Sequence, residues 1–167
     1  MEQKPLTHVR AGLLVAGVAI AMNLLLTIAF RGQAVPLMGL LQFVIVAGAL
    51  AFFVRRYALQ QSGRLPFGDL FAFGFKATAV VTLIFVAFAI IAALALPQLR
   101  EQLPQLAEKQ MGNNKLTNAQ IEQISGMTQK YFWTFLIAGN TMTYVITGAI
   151  GSLVGAAIAP KNNQTAA

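Results

Sequence analysis

Four long stretches of the chain carry no charged side chain, and each could cross a lipid bilayer as a helix. The hydrocarbon core of a bilayer is about 30 Å thick, so a spanning helix needs roughly 20 mostly apolar residues. None of the stretches shows the steady alternation of a spanning β-strand. The sequence therefore predicts an all-α membrane protein, a single integral membrane domain over residues 1–167. Its four transmembrane helices are expected at residues 11–30, 37–54, 77–96 and 131–159.

The composition bears on the partners of the chain. Only 10% of the residues are charged, against about 25% in soluble domains. A net charge of +7 could indicate nucleic-acid binding, but that function needs basic residues clustered on a solvated face. Here they lie at the ends of apolar stretches, as Arg55 and Arg56 do, where lipid headgroups supply the negative charge. We expect the lipid bilayer as partner and no nucleic acid.

The distribution of Lys and Arg predicts the orientation of the spans. With the N-terminus inside, the inner segments hold seven of these residues and the outer segments five. Because Lys and Arg are enriched on the cytoplasmic side, we expect both termini to be cytoplasmic. We then expect a multi-pass protein with residues 98–130 outside. The first stretch is too long for a typical signal-peptide core and is interpreted as a retained span.

The segment LPFGDLFAFGFKATAVV, residues 65–81, leads into the third span. Its Phe residues fit both the period of a strand and that of a helix. An aromatic ligand cage would use the same residue type, but no polar groups that orient a ligand lie nearby. An interfacial helical turn at the headgroup level is the favoured interpretation. The residues assigned to it are Phe67, Asp69, Phe71, Phe75 and Lys76.

The polar segment 98–130 is predicted to form an extramembrane helical hairpin between spans three and four. A leucine seam at Leu96, Leu99, Leu103 and Leu106 indicates its first helix. The sequence from Thr117 to Gln120 fits a capping box that begins the second helix, which should run directly into the fourth span. One interpretation is that this segment is a docking surface for a membrane or periplasmic protein. The other is that the hairpin packs against the same hairpin of a second copy of the chain.

Residues with catalytic potential are absent from the predicted spans. All five carboxylates lie outside the apolar stretches, and the one histidine, His8, precedes the first of them. The sequence has no cysteine and no nucleophile elbow, phosphate loop or HExxH motif. We therefore predict a chain that is not an enzyme and has no catalytic residues, no cofactor and no metal site.

Polar and small residues inside the spans could serve packing or a hydrophilic path. Polar groups within spans mostly form helix-to-helix hydrogen bonds, but Asn23, Gln42 and Asn140 lie deep enough to be functional candidates. In the fourth span, a GxxxG motif and a second small pair predict a close-packing face, either within one chain or in a homo-oligomer. These candidate packing residues are Gly148, Gly151, Ser152 and Gly155.

Three segments resemble a family of small four-span bacterial membrane proteins catalogued as domain of unknown function forty-one ninety-nine. They are LPFGDLFAFGFKAT before span three, LTNAQIEQISGMTQKYF before span four and GAIGSLVGAAIAPK near the end of the sequence. The resemblance covers nearly the whole chain and implies a multi-pass inner-membrane protein. It carries over no established activity, cofactor or catalytic residue.

Two functional hypotheses follow from the sequence. The first is a non-enzymatic membrane protein with an interaction or assembly role, acting through the outer helical segment and the small-residue helix faces. The alternative is a small transporter or channel subunit that acts as an oligomer, with Asn23, Gln42 and Asn140 near the path.

Overall fold

The computed structural model describes residues 6–29, 36–96 and 118–160, and their regular secondary structure is entirely α-helical. The helices in these ranges are α1 (His8–Ala29), α2 (Pro36–Gln60), α3 (Phe67–Ala95), α4 (Asn118–Lys130) and α5 (Phe132–Ala157). By length and composition, α1, α2, α3 and α5 could each cross a membrane. The prediction of an all-α chain with four spanning helices is thus confirmed for the described residues.

The predicted hairpin between spans three and four is described only in its second half, which forms α4. Residues 97–117, with Leu99, Leu103 and Leu106 of the leucine seam, lie outside the described residues, so the hairpin stays a prediction. The second helix is predicted to run directly into the fourth span, and in the structure one turn residue, Tyr131, separates the two helices. Backbone hydrogen bonds of 2.9 Å from Tyr131 N–H to Met127 O and from Phe135 N–H to Tyr131 O join α4 to α5.

Helices extend beyond the apolar stretches predicted as spans. The α2 helix continues past Val54 to Gln60, and α3 begins at Phe67, so that it includes the helical turn predicted before the third span. The charged residues Arg55 and Arg56 end the apolar stretch without ending the helix, because backbone hydrogen bonding continues in water as well as in lipid. Hydropathy therefore marks the section of a helix that fits the hydrocarbon and not the helix boundary.

The α2 helix ends in a tight turn that is formed by the residues directly after it. Ser62 and Gly63 have positive φ angles of 55° and 67°, and the Gly63 N–H donates to Ala58 O at 2.9 Å. This is the bonding pattern of a Schellman motif, which satisfies carbonyls at a helix C-terminus. Three residues later, Pro66 O accepts the Leu70 N–H at 3.3 Å, which places the proline where α3 begins.

The chain contains two compact units, Met1–Phe85 with Thr143–Ala167, and Val86–Met142. In the first unit, α1 contributes a buried stripe of small residues, and α2 contributes a stripe with the four-residue period of a helix face. Two ring pairs complete this core. The Tyr57 and Phe73 rings stack with their centroids 3.9 Å apart, and those of Phe85 and Tyr144 are 4.1 Å apart. The buried stripes are formed by Ala11, Val15, Ala16 and Ala19, and by Val46, Leu50, Val54 and Ala58.

The second unit, Val86–Met142, holds the end of α3, all of α4 and the start of α5. In α4 most described side chains are exposed. At the junction with α5, Tyr131, Trp133 and Phe135 expose large aromatic surfaces. Trp and Tyr are enriched where membrane helices cross the headgroup region, so this cluster is typical of a membrane boundary.

Candidate functional site

The small residues of α5 lie against neighbouring helices of the same unit. A Cβ added at Gly151 would stand 2.6 Å from Ala47 O of α2, and one at Gly155 would stand 2.7 Å from the Ala51 Cα. Such distances are shorter than a Cβ contact allows, so the two backbones approach each other at these glycines. The GxxxG face is thus used between α5 and α2 within the chain.

The other two candidate packing residues face α3. A Cβ at Gly148 would overlap the Thr78 side chain, and one at Gly74 would stand 2.5 Å from the Ser152 Oγ. The Ser152 hydroxyl is fully buried and donates to Gly148 O at 2.6 Å. Its hydrogen bond is therefore satisfied within α5, which allows a polar side chain to pack against α3 at no cost in unpaired groups.

A polar pocket brings together two of the three intramembrane candidates. Asn23 of α1 and Gln42 of α2 line it, together with Tyr144 and Thr147 of α5. Its volume of about 240 Å³ lies below the roughly 300–1,000 Å³ of most ligand pockets. It therefore has room for a few water molecules or a small uncharged solute. The remaining lining residues are Gly39, Phe43 and Thr143.

Gln42 is the central polar group of this pocket. Its Nε2 donates to Ala19 O of α1 at 3.3 Å, and its side chain lies within hydrogen-bonding reach of the Tyr144 hydroxyl. Its Oε1 is buried and has no hydrogen-bond partner within the described part of the chain. An unpaired buried acceptor costs about 1–3 kcal/mol, so a donor that entered the pocket would find a ready site.

Asn140, the third candidate, belongs to the other unit. It is half-buried, and its Nδ2 donates to Leu136 O at 2.7 Å, one turn earlier in the same helix. This hydrogen bond satisfies one donor locally, as polar residues in spanning helices commonly do.

The predicted interfacial residues occupy the first turns of α3. Phe67 and Phe75 are exposed, and Phe75 stacks on the half-buried Phe71 at a centroid distance of 5.7 Å. Asp69 and Lys76 line a second pocket of about 260 Å³, together with His8 of α1. The two charges therefore lie around one recess, which the aromatic side chains of Tyr57 and Phe73 also line.

Tyr144 and Thr147, which line the polar pocket, are polar residues of the fourth predicted span that were not among the three functional candidates. The signal that could have found them is their spacing: Asn140, Tyr144 and Thr147 follow one another at intervals of four and three, which places them along one helix face. Nothing in the sequence shows that α1 and α2 meet this face. The residue pairs that form the pocket are therefore visible only in the fold.

The helices and their polar groups indicate the class of protein to which the chain belongs, but they do not by themselves indicate its function. The helices are apolar and long enough to span a bilayer, and they expose large apolar side chains. Their polar groups form hydrogen bonds largely within their own helices. These features are typical of a multi-pass helical membrane protein. The chain belongs to the family described as Protein of unknown function (DUF4199), whose profile matches residues 10–161. The resemblance drawn from the three sequence segments is thus confirmed. No curated protein and no solved structure was found to match the chain.

Proposed function

We propose that the chain is a non-enzymatic protein of the bacterial inner membrane, with both termini cytoplasmic, that binds another membrane or periplasmic protein through α4. The observation that carries this proposal is that α4 is a polar helix separated from a spanning helix only by Tyr131, whose backbone hydrogen bonds to Met127 and Phe135 link the two. A helix that follows so closely on a span can hold a binding surface near the bilayer, because an α-helix rises 1.5 Å per residue.

The side chains of α4 support a role outside the hydrocarbon. Exposed Gln, Glu and Lys residues lie along the helix, and Met127 adds an exposed apolar side chain. Exposed polar side chains are costly to place in lipid, whereas in water they can bind a partner. The aromatic residues Tyr131, Trp133 and Phe135 follow directly and mark the boundary. The exposed polar residues are Gln120, Glu122, Gln123, Gln129 and Lys130.

The non-enzymatic part of the proposal is supported by the sequence. Chemistry within a membrane depends on ionisable groups that face a cavity, and every carboxylate lies outside the apolar stretches. The polar pocket around Gln42 is lined by amide and hydroxyl groups, which bind by hydrogen bonding but are weak acids and bases near neutral pH.

A photocrosslinking amino acid placed at Gln123 tests the proposal in native membranes. We expect an adduct with a different protein, identified by mass spectrometry. The same probe at Gln61, which is also exposed but lies between α2 and α3, is the matched control and should not give that adduct. The absence of an adduct at Gln123, or an adduct of twice the chain's mass, would contradict a separate partner.

A second candidate function is a small transporter or channel subunit that acts as an oligomer. It is favoured by the polar pocket, in which Gln42 offers an unpaired buried oxygen close to Asn23 and Tyr144. The test is flux of a small uncharged solute such as glycerol into liposomes that contain the purified protein. Gln42→Leu should abolish the flux, and Gln61→Leu, at an exposed glutamine outside the pocket lining, is the matched control. Equal loss in both variants would exclude the pocket as the path.

A further inference from the structure

A recess between the start of α1 and the end of α2 combines two arginines with an apolar floor. Its volume is about 550 Å³, within the roughly 300–1,000 Å³ of most small-molecule sites. Arg10, Leu13 and Leu14 line it from α1, and Phe53 and Arg56 from α2. All of these residues belong to the first compact unit.

The lining residues are ordered by depth. A hydrogen bond of 3.1 Å from the Leu6 N–H to Gln60 Oε1 ties the segment before α1 to the last residue of α2. One turn inward from these ends lie Arg10 and Arg56, and beyond them lie the apolar residues Leu13, Leu14 and Phe53. Because a helix advances 5.4 Å per turn, the recess changes from cationic to apolar within about two turns.

The two arginines give the recess its positive charge. Within the described part of the chain, no carboxylate lines it. Among the described residues the carboxylates are Asp69 and Glu122, and Asp69 lines a separate recess. Arg10 and Arg56 are both exposed, so their guanidinium groups are accessible to an anion. Guanidinium groups bind phosphate by paired, charge-assisted hydrogen bonds.

The apolar part distinguishes a lipid from a soluble anion. Leu13 and Leu14 are each 53% exposed, and they continue inward from the arginines along a helix that can cross a membrane. Free phosphate would use only the arginines. We propose that this recess binds an anionic phospholipid, whose phosphate contacts Arg10 and Arg56 and whose acyl chain lies on Leu13, Leu14 and Phe53. Basic pockets between membrane helices bind such headgroups by the same chemistry.

Lipid binding to the purified full chain tests the proposal by native mass spectrometry in a neutral detergent. Phosphatidylglycerol should bind more tightly than phosphatidylcholine, and the double variant R10Q/R56Q should weaken phosphatidylglycerol binding about tenfold, since both phosphate contacts are lost. The double variant R55Q/R64Q removes the same charge from two exposed arginines outside the lining and should bind like the natural chain.

Two further arms separate the possible sources of phosphate and guard against a folding defect. Inorganic phosphate at millimolar concentration should not displace the lipid, whereas displacement would show a site for a free anion and overturn the assignment. A photoactivatable phosphatidylglycerol added to the natural chain should label peptides that contain Leu14 or Phe53. Equal weakening in R55Q/R64Q, equal binding of phosphatidylcholine, or labelling elsewhere would overturn it as well.

Discussion

Gly155 of α5 lies against Ala51 of α2, so that a Cβ added to the glycine would stand 2.7 Å from the Ala51 Cα. One turn earlier, Gly151 meets the Ala47 backbone in the same way. Lipid tails are as apolar as leucine, and helices in a membrane therefore associate through close packing and not through a hydrophobic drive. The two glycines thus fix α5 against α2 where both backbones come close.

The first prediction concerns this contact. Gly155→Ala should lower the free energy of unfolding by about 1–3 kcal/mol, because the new methyl group meets backbone atoms that must move. The measurement is the thermal unfolding midpoint in detergent. Gly139→Ala in the same helix is the control, since a Cβ there meets nothing within 4 Å. Similar midpoints for the two variants would contradict the close approach.

The second prediction concerns the stacked rings of Tyr57 and Phe73, which lie nearly parallel at an interplanar angle of 5°. A double-mutant cycle with Tyr57→Ala and Phe73→Ala should give a coupling energy of about 0.5–1.5 kcal/mol, the usual range for aromatic pairs. The control cycle pairs Tyr57→Ala with Phe75→Ala, whose ring is 42% exposed. A coupling energy near zero in the first cycle would show that the rings contribute independently.

Features of this fold that depend on neighbouring residues in the sequence could be predicted, whereas features that depend on contacts between distant helices could not. The four spanning helices follow from uninterrupted apolar stretches, since helix formation in lipid is dictated locally by backbone hydrogen bonding. The start of α3 could also be predicted locally, because Phe67, Phe71 and Phe75 recur at the four-residue period of a helix.

The candidate site was predictable only in part, for the same reason. Asn23 and Gln42 could be selected as polar residues deep in their spans. Their common pocket with Tyr144 depends on which helix faces meet, and no single-span pattern contains that information. The glycines of α5 could likewise be identified as a packing face, but only the fold shows that α2 and α3 occupy it.

The third prediction compares two buried threonines of α3. The Thr78 hydroxyl donates to Gly74 O at 3.0 Å, whereas the Thr82 Oγ1 is buried without a hydrogen-bond partner in the described part of the chain. Thr82→Val keeps the shape and removes an unpaired polar atom, so it should raise the free energy of unfolding by up to about 1 kcal/mol. Thr78→Val should lower it by about 0.6 kcal/mol.

The two threonine variants are measured side by side by chemical unfolding in detergent. They control for each other, because both replace a hydroxyl by a methyl group at a buried position of one helix. Destabilisation by Thr82→Val as large as that by Thr78→Val would mean that the Thr82 hydroxyl has a partner in the membrane.

The fourth prediction concerns which exposed surfaces face lipid and which face water. Leu83 is 72% exposed, and the side chains of Gln123 and Gln61 are exposed as well. The natural sequence has no cysteine, so single-cysteine variants can be read without a background. A membrane-impermeant maleimide requires water, because it reacts with the thiolate. In intact cells, Gln123→Cys should therefore react at once, and Gln61→Cys only after the membrane is opened.

Leu83→Cys should stay unlabelled in both conditions, and react only when detergent denatures the protein. This position separates exposure to lipid from exposure to water, because the side chain is exposed in the described part of the chain and hydrocarbon would protect it from the reagent. Labelling of Leu83→Cys in folded protein would place water beside α3 and exclude a lipid-facing surface there. Labelling of Gln61→Cys in intact cells, with Gln123→Cys protected, would reverse the orientation and place α4 in the cytoplasm, where a periplasmic partner could not reach it.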